Sequence, residues 1–305
     1  MRLASLFALS AAPLALFAAS PALADNHAAH ETAAEAPAAG TGPAMWKVAD
    51  EDTTIYLFGT VHVLPEGLEW YDAAIASALE GSDMIVTEIP MDKQSEAQMQ
   101  QLAMSLGMLP PGTTLRSLLD ADQTAAYEAS LAKLGAPPTA FDQLKPWLAG
   151  LTLSLLPLMQ QGYSPDSGVE KVLIAKAGDK PQGALETAEF QLGIFDGMTT
   201  DAQVAFMMEA VENMDEVKPM LDRMVAEWSE GDAEELANIM NEGMSDPAVA
   251  EALLYQRNAN WAEWIDSRLE EPGSVFVAVG AGHLAGDRSV QDYLAEKGIA
   301  VARVK

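Results

Sequence analysis

The chain has no cysteine at all. Disulfides and thiolate ligands are therefore excluded, so stability must come from the core and any metal site must use nitrogen and oxygen donors. Basic residues are also scarce: 17 Lys and Arg stand against 45 Asp and Glu, a formal net charge of −28. Nucleic acid and anionic membrane surfaces attract clustered Lys and Arg, so this balance argues against both as partners. Long apolar runs are missing beyond the N-terminus. The most apolar later stretch, Trp147 to Met159, is 13 residues, shorter than the ~20 a membrane-spanning helix needs. Histidine is rare too, with only four in 305 residues.

The first 24 residues have the make-up of a signal peptide. Met1-Arg2 gives a basic start, Leu3 to Ala19 an apolar run, and Ala22-Leu23-Ala24 a small-x-small cleavage site. Export of a cysteine-free chain suits a bacterial periplasm or secretion. Residues 25–43 are Ala-rich with Glu, Pro and Gly and read as a linker without a buried face. Cleavage after Ala24 would expose Asp25-Asn26-His27. Its α-amine, two amides and imidazole match the square plane preferred by Cu(II), with His30 as a further ligand. The alternative is a plain tether. The folded domain is expected over residues 44–305.

Within it only two histidines remain, and both close the same motif. Thr54-Ile55-Tyr56-Leu57-Phe58 runs into Gly59-Thr60-Val61-His62, and Ser274 to Val279 runs into Gly280-Ala281-Gly282-His283. Apolar runs of this length bounded by glycine read as strands buried on both faces, and ligands gather at the carboxyl ends of such strands. Gly59 and Gly280 allow a sharp turn or a close approach there. His62 and His283 are thus candidates for one crevice, where neutral imidazoles suit a divalent metal. The competing reading is a pair of hydrogen-bonded turn histidines.

The remaining elements follow from punctuation and periodicity. Trp46 to Ala49 and Thr54 to Val61 flank the turn-like Asp50-Glu51-Asp52-Thr53 and predict a hairpin. Glu69 to Leu79 reads as a helix, and Met84 to Ile89 as a strand delivering Glu88 at its end, either to meet His62 or as a solvated loop carboxylate. From about 95 to 180 the pattern is helical with Gly and Pro breaks, as in an insertion. Gln182 to Thr187 returns as a short strand carrying Glu186, read either as a catalytic acid or as a carboxylate near a helix start. Residues 199–269 are helical again, with Arg257 among Tyr255, Trp261 and Trp264, a setting that suits a structural salt-bridge partner. A final helix over Ser289 to Lys297 and a strand over Ala300 to Val304 complete an α/β fold. Its mixed central sheet is built from both ends of the chain, with a mostly helical middle covering the active edge.

The paired GxxH motifs, the opening Trp46-Lys47-Val48 and the closing Gly282-His283-Leu284-Ala285-Gly286-Asp287 resemble the TraB/GumN family, which includes the Tiki metalloproteases. Glu88, Leu185-Glu186-Thr187 before Gln191, and Arg257-Asn258 before Trp261 resemble further landmarks. One position departs: Gly168-Val169-Glu170 stands where glycine-apolar-aspartate is expected, and Glu170 receives no role. The resemblance implies a metal-dependent hydrolase, a Tiki-like peptidase acting on a peptide or protein. His62, Glu88 and His283 would hold a divalent ion such as Mn²⁺ or Co²⁺, Glu186 would move protons, and Arg257 would steady the oxyanion. The other function class it allows is a non-catalytic periplasmic module that captures peptides or a polysaccharide.

Overall fold

The computed structural model describes residues 42–243 and 247–305. The leader, most of the linker, and the Asp25, Asn26, His27 and His30 of the copper expectation lie outside the described residues. Eight strands form among the described residues: β1 (Met45–Ala49), β2 (Thr53–Thr60), β3 (Leu64–Pro65), β4 (Met84–Thr87), β5 (Tyr163–Ser164), β6 (Gln182–Ala184), β7 (Gly273–Gly280) and β8 (Val301–Arg303). Six of them make one mixed sheet in the order β6-β4-β7-β2-β1-β8, and β3 pairs with β5 separately.

The predicted hairpin forms, with Met45 opposite Phe58 and Ala49 opposite Thr54. β7 runs parallel to β2, Thr60 beside Gly280. On its other side β7 runs parallel to β4, which in turn is parallel to β6. The four parallel strands therefore end along one edge. The two GxxH strands are direct neighbours, and the strand ahead of Glu88 lies on the far side of β7.

Alternation along the strands splits the core across the sheet. Ile55, Leu57, Val86, Val275, Val277 and Val279 face one layer, where Trp261, Ile265 and Leu294 cover them. Phe58, Ile85, Phe276 and Ala278 face the other, under Ile75, Leu79, Trp70 and Trp228. Each of the Val, Leu, Ile and Phe side chains, fully buried, contributes about 1.5–3 kcal/mol. A third apolar cluster, around Trp147, Leu153, Phe206 and Met207, lies among the helices.

The helical middle consists of two excursions. Helices from Lys93 to Ala177 connect β4 to β6, and helices from Ala188 to Leu269 connect β6 to β7. The predicted insertion captures the first of these. Helix Pro146–Gln160 buries ten of its fifteen residues, as its apolar sequence predicts. Met99, Met207, Met208, Met220 and Met224 are buried core residues.

The helix expected from Glu69 begins later, at Ala73. Asp72 explains the difference, because its carboxylate accepts from the backbone N–H of Ala74 and Ile75 and so sets the start. Trp70 is left outside the helix, its ring stacked 5.9 Å from Phe58. No helix among the described residues is long and apolar enough to cross a membrane.

Candidate active site

The strand ends bring several polar side chains to the same edge. His62 follows β2 by two residues, Glu88 follows β4 directly, Glu186 follows β6 by two, and His283 sits on the 3-10 turn Ala281–Leu284 after β7. Gly59 eases this arrangement. A side chain on it would meet Cα and Cβ of Ala281 at 3.1 Å, so the two motifs would have to move apart by a few tenths of an ångström. The carbonyl of Gly59 accepts from Trp228 Nε1 at 2.8 Å, which ties the motif to the helical cover.

Arg257, on helix Gln256–Leu269, enters from above and is 2% exposed. Its Nε donates to Glu186 Oε1 at 2.9 Å and Nη2 to Glu88 Oε2 at 2.6 Å and Glu186 Oε2 at 2.9 Å. Nη1 donates to the Leu253 carbonyl at 2.9 Å and lies 3.1 Å from His283 Nε2. These five contacts engage all five N–H donors of a guanidinium. Arg257 thus has no donor to spare for an oxyanion, and in this arrangement it holds Glu88, Glu186 and His283 in place.

The carboxylates are equally committed. Glu88 Oε1 accepts the Gly280 N–H at 2.7 Å, and Oε2 accepts from Arg257 and from Gln191 Nε2, the latter at 2.9 Å. Glu186 also accepts from Trp261 Nε1 and Gln191 Nε2, each at 2.9 Å. The helix that follows is capped by Thr187, so Glu186 belongs to the site and not to the helix start.

His283 is fully buried, its ring 4.2 Å from that of Trp261. Nδ1 is 2.6 Å from Asn258 Oδ1, and Nε2 is 3.8 Å from Glu88 Oε1. Burial, then the Arg257 charge, then that of His62 hold its proton affinity well below the ordinary histidine value. The ring is therefore neutral, with one nitrogen donating and the other accepting.

His62 is built differently. Its Nδ1 lies 2.5 Å from Glu170 Oε1, and Thr60 Oγ1 donates to the same oxygen at 2.5 Å. Burial depresses the His62 pKa, but the charge of Glu170 and its hydrogen bond, helped by Glu88, prevail and raise it. Glu170 is buried as well. Its pKa is lowered, because His62 and the Thr60 hydroxyl outweigh the burial that would raise it. His62 Nε2 is a buried atom with no hydrogen-bond partner. Every other polar atom just described is engaged.

Glu170 is the site residue that sequence reasoning left without a role. It sits in the first turn of helix Val169–Ala177, where an acid is commonly a helix-end carboxylate. The signal that could have found it is Gly168. A Cβ there would lie 2.2 Å from the His62 carbonyl oxygen, and the next residue's N–H donates to the Val61 carbonyl at 3.0 Å. Only glycine lets this helix start against the His62 backbone, and that contact puts Glu170 on the imidazole. Glutamate at this position supplies the carboxylate that the expected aspartate would.

The ligand set expected for a divalent ion is not assembled in this arrangement. Glu88 and His283 Nε2 both face the Arg257 guanidinium, and among the described residues no group of three or more His, Cys, Asp or Glu is disposed to hold an ion. The donor that is free is His62 Nε2.

The profile of the TraB/PrgY/gumN family matches residues 44–303 of the chain. No curated protein matches it. No solved structure does either.

Proposed function

The chain belongs to the TraB/PrgY/gumN family, and from its site we propose that it is a hydrolase in which His62 moves the proton. The observation that carries this is the buried, unpartnered His62 Nε2 on a ring whose Nδ1 is held by Glu170. A carboxylate on Nδ1 keeps the proton there in the neutral ring and leaves the Nε2 lone pair as a general base. No hydroxyl among the described residues hydrogen-bonds that nitrogen, and water serves as the nucleophile in this proposal. Nε2 takes a proton as the water oxygen bonds to an acyl carbon, and returns it to the leaving group as the tetrahedral species collapses. Arg257, Glu88, Glu186 and His283 form the rigid wall against which this happens.

The family and the resemblance to peptidases make a peptide or protein the proposed substrate, and the leader sequence makes the periplasm the proposed compartment. A second reading rests on the same free atom. Neutral His62 Nε2 is also a good ligand for a divalent cation such as Mn²⁺ or Co²⁺. For Glu88 and His283 to join it, Arg257 would have to withdraw from both.

A peptide-library digest by the purified full chain, with and without a chelator, separates the possibilities. Cleavage that survives chelation and disappears in His62→Gln supports the proton-transfer reading. Cleavage lost on chelation and restored by Mn²⁺ or Co²⁺ supports the metal reading. Peptide binding with no turnover would overturn both in favour of a capture module.

A further inference from the structure

Arg288 is the one described residue other than glycine with a positive φ, +58°. Side chains bearing a Cβ seldom adopt this left-handed conformation. What holds it is visible on both sides of the residue. Its guanidinium pairs with both Glu251 oxygens, Nη1 to Oε2 at 2.8 Å and Nη2 to Oε1 at 3.2 Å, while Nε donates to Tyr293 Oη at 3.0 Å. The same group lies over the Tyr255 ring, 4.0 Å from its centroid. Glu251 and Tyr255 are the two ends of a single π turn that leads into the helix of Arg257 and Asn258.

The backbone of Arg288 meets that helix again. Its carbonyl accepts from Asn258 Nδ2 at 2.8 Å, and Asn258 Oδ1 faces His283 Nδ1 at 2.6 Å. An amide has a donor end and an acceptor end. With the donor end fixed on a carbonyl, the acceptor end must face His283, whose Nδ1 must then carry the hydrogen. Flipping the amide would set oxygen against the Arg288 carbonyl. It would also put a hydrogen on His283 Nε2, facing an Arg257 N–H that lies 3.1 Å away. Both contacts are repulsive, and Asn258 and His283 are buried, so water cannot relieve them.

We propose that Arg288 and Asn258 are positioning residues forming a relay that locks His283 in its Nδ1–H tautomer, leaving a bare Nε2 toward Arg257 and Glu88. Arg288 acts at a distance. Its guanidinium staples the loop after the second GxxH motif to the π turn, and the staple aims its carbonyl. One histidine of the pair is thereby fixed as an acceptor, whatever the other one does. The relay stands on the geometry around His283 alone and is independent of the hydrolytic reading.

With only four histidines in the chain, long-range ¹H–¹⁵N spectra of the histidine-labelled full chain resolve each imidazole. The expected wild-type result is a His283 ring with a protonated Nδ1 and a bare Nε2. Arg288→Gly keeps the left-handed backbone accessible while removing the staple, and should add the Nε2–H form as a second set of His283 signals. Asn258→Ala removes the amide itself and should release the same second set of signals. A wild-type His283 protonated on Nε2, a spectrum unchanged by Arg288→Gly, or an Asn258→Ala spectrum that keeps the single Nδ1–H form would each overturn the relay. None of these readings involves turnover, so a failure of the hydrolase proposal leaves them intact.

Discussion

His62 and His283 end the same four-residue motif on adjacent parallel strands, yet their surroundings drive them in opposite directions. A carboxylate backs His62 and raises its affinity for a proton. A guanidinium faces His283 and, with burial, lowers it. The motif therefore fixes where an imidazole stands, and the helices that arrive from elsewhere decide what it does. Glu170 comes with the first helical excursion and Arg257 with the second.

The largest effect on this contrast should come from removing the cation. Arg257→Ala leaves Glu88 and Glu186 buried without their counter-charge, which costs about 3–5 kcal/mol. Urea unfolding should show it as a much lower midpoint. A midpoint close to wild type would mean that the carboxylates are compensated in some other way.

Next in size is the loss of the free nitrogen. His62→Gln should lower kcat on a cleaved peptide by about 10²–10⁴-fold, the usual contribution of general acid–base catalysis, with KM little changed. Retention of full activity would remove His62 from the chemistry.

Glu170→Gln makes the two histidines more alike. Without the carboxylate charge, burial prevails and the His62 pKa falls, so the acid limb of kcat/KM should move to lower pH. A limb that stays in place belongs to another group. Gly168→Ala acts on the same pair through the backbone, pushing the helix off the His62 carbonyl at a cost of about 1–3 kcal/mol and weakening catalysis with it.

The smallest effect is on stability against pH. The raised pKa of His62 contributes stability that is full below its unfolded value near 6.5 and is lost as pH rises through the folded value. The lowered pKa of His283 does the reverse: its contribution is full above 6.5 and is lost as pH falls toward the folded value. Each tenfold difference in proton affinity is worth about 1.4 kcal/mol. His62→Gln should therefore flatten the alkaline side of the stability profile, and the acid side as well, because it removes the partner that lowers the Glu170 pKa. An alkaline side as steep as in the wild type would contradict the assignment.

The strands that deliver His62, Glu88, Glu186 and His283 could be read from the sequence because an apolar run ending in glycine or a carboxylate needs no tertiary information. The meeting of Gly59 with Ala281 and the place of β7 between β2 and β4 could not, since pairing between distant segments leaves no local trace. Glu170 was hidden for a related reason. An acid in the first turn of a helix looks the same whether it faces water or an imidazole, and only the clash at Gly168 distinguishes the two. Arg257 was open to two readings, a structural salt-bridge partner or, by resemblance, an oxyanion group, because the saturation of its donors depends on partners from four segments. Asp72 was missed as a local helix cap, and the start of that helix was misjudged with it.

The position of β7 also bears on how the chain comes to be folded. A ribosome or a translocation channel releases β2 and β4 long before the strand that belongs between them. Until Thr53 can meet Gly273 and Ile85 can meet Phe276, both early strands carry bare edges, the kind of surface that recruits other chains. Closing so long a loop is entropically slow to begin, and contacts this remote in sequence slow folding as a whole. Proton transfer at His62 would thus be the last property the molecule acquires, and a chain ending before Gly273 should aggregate rather than accumulate as an inactive but folded fragment.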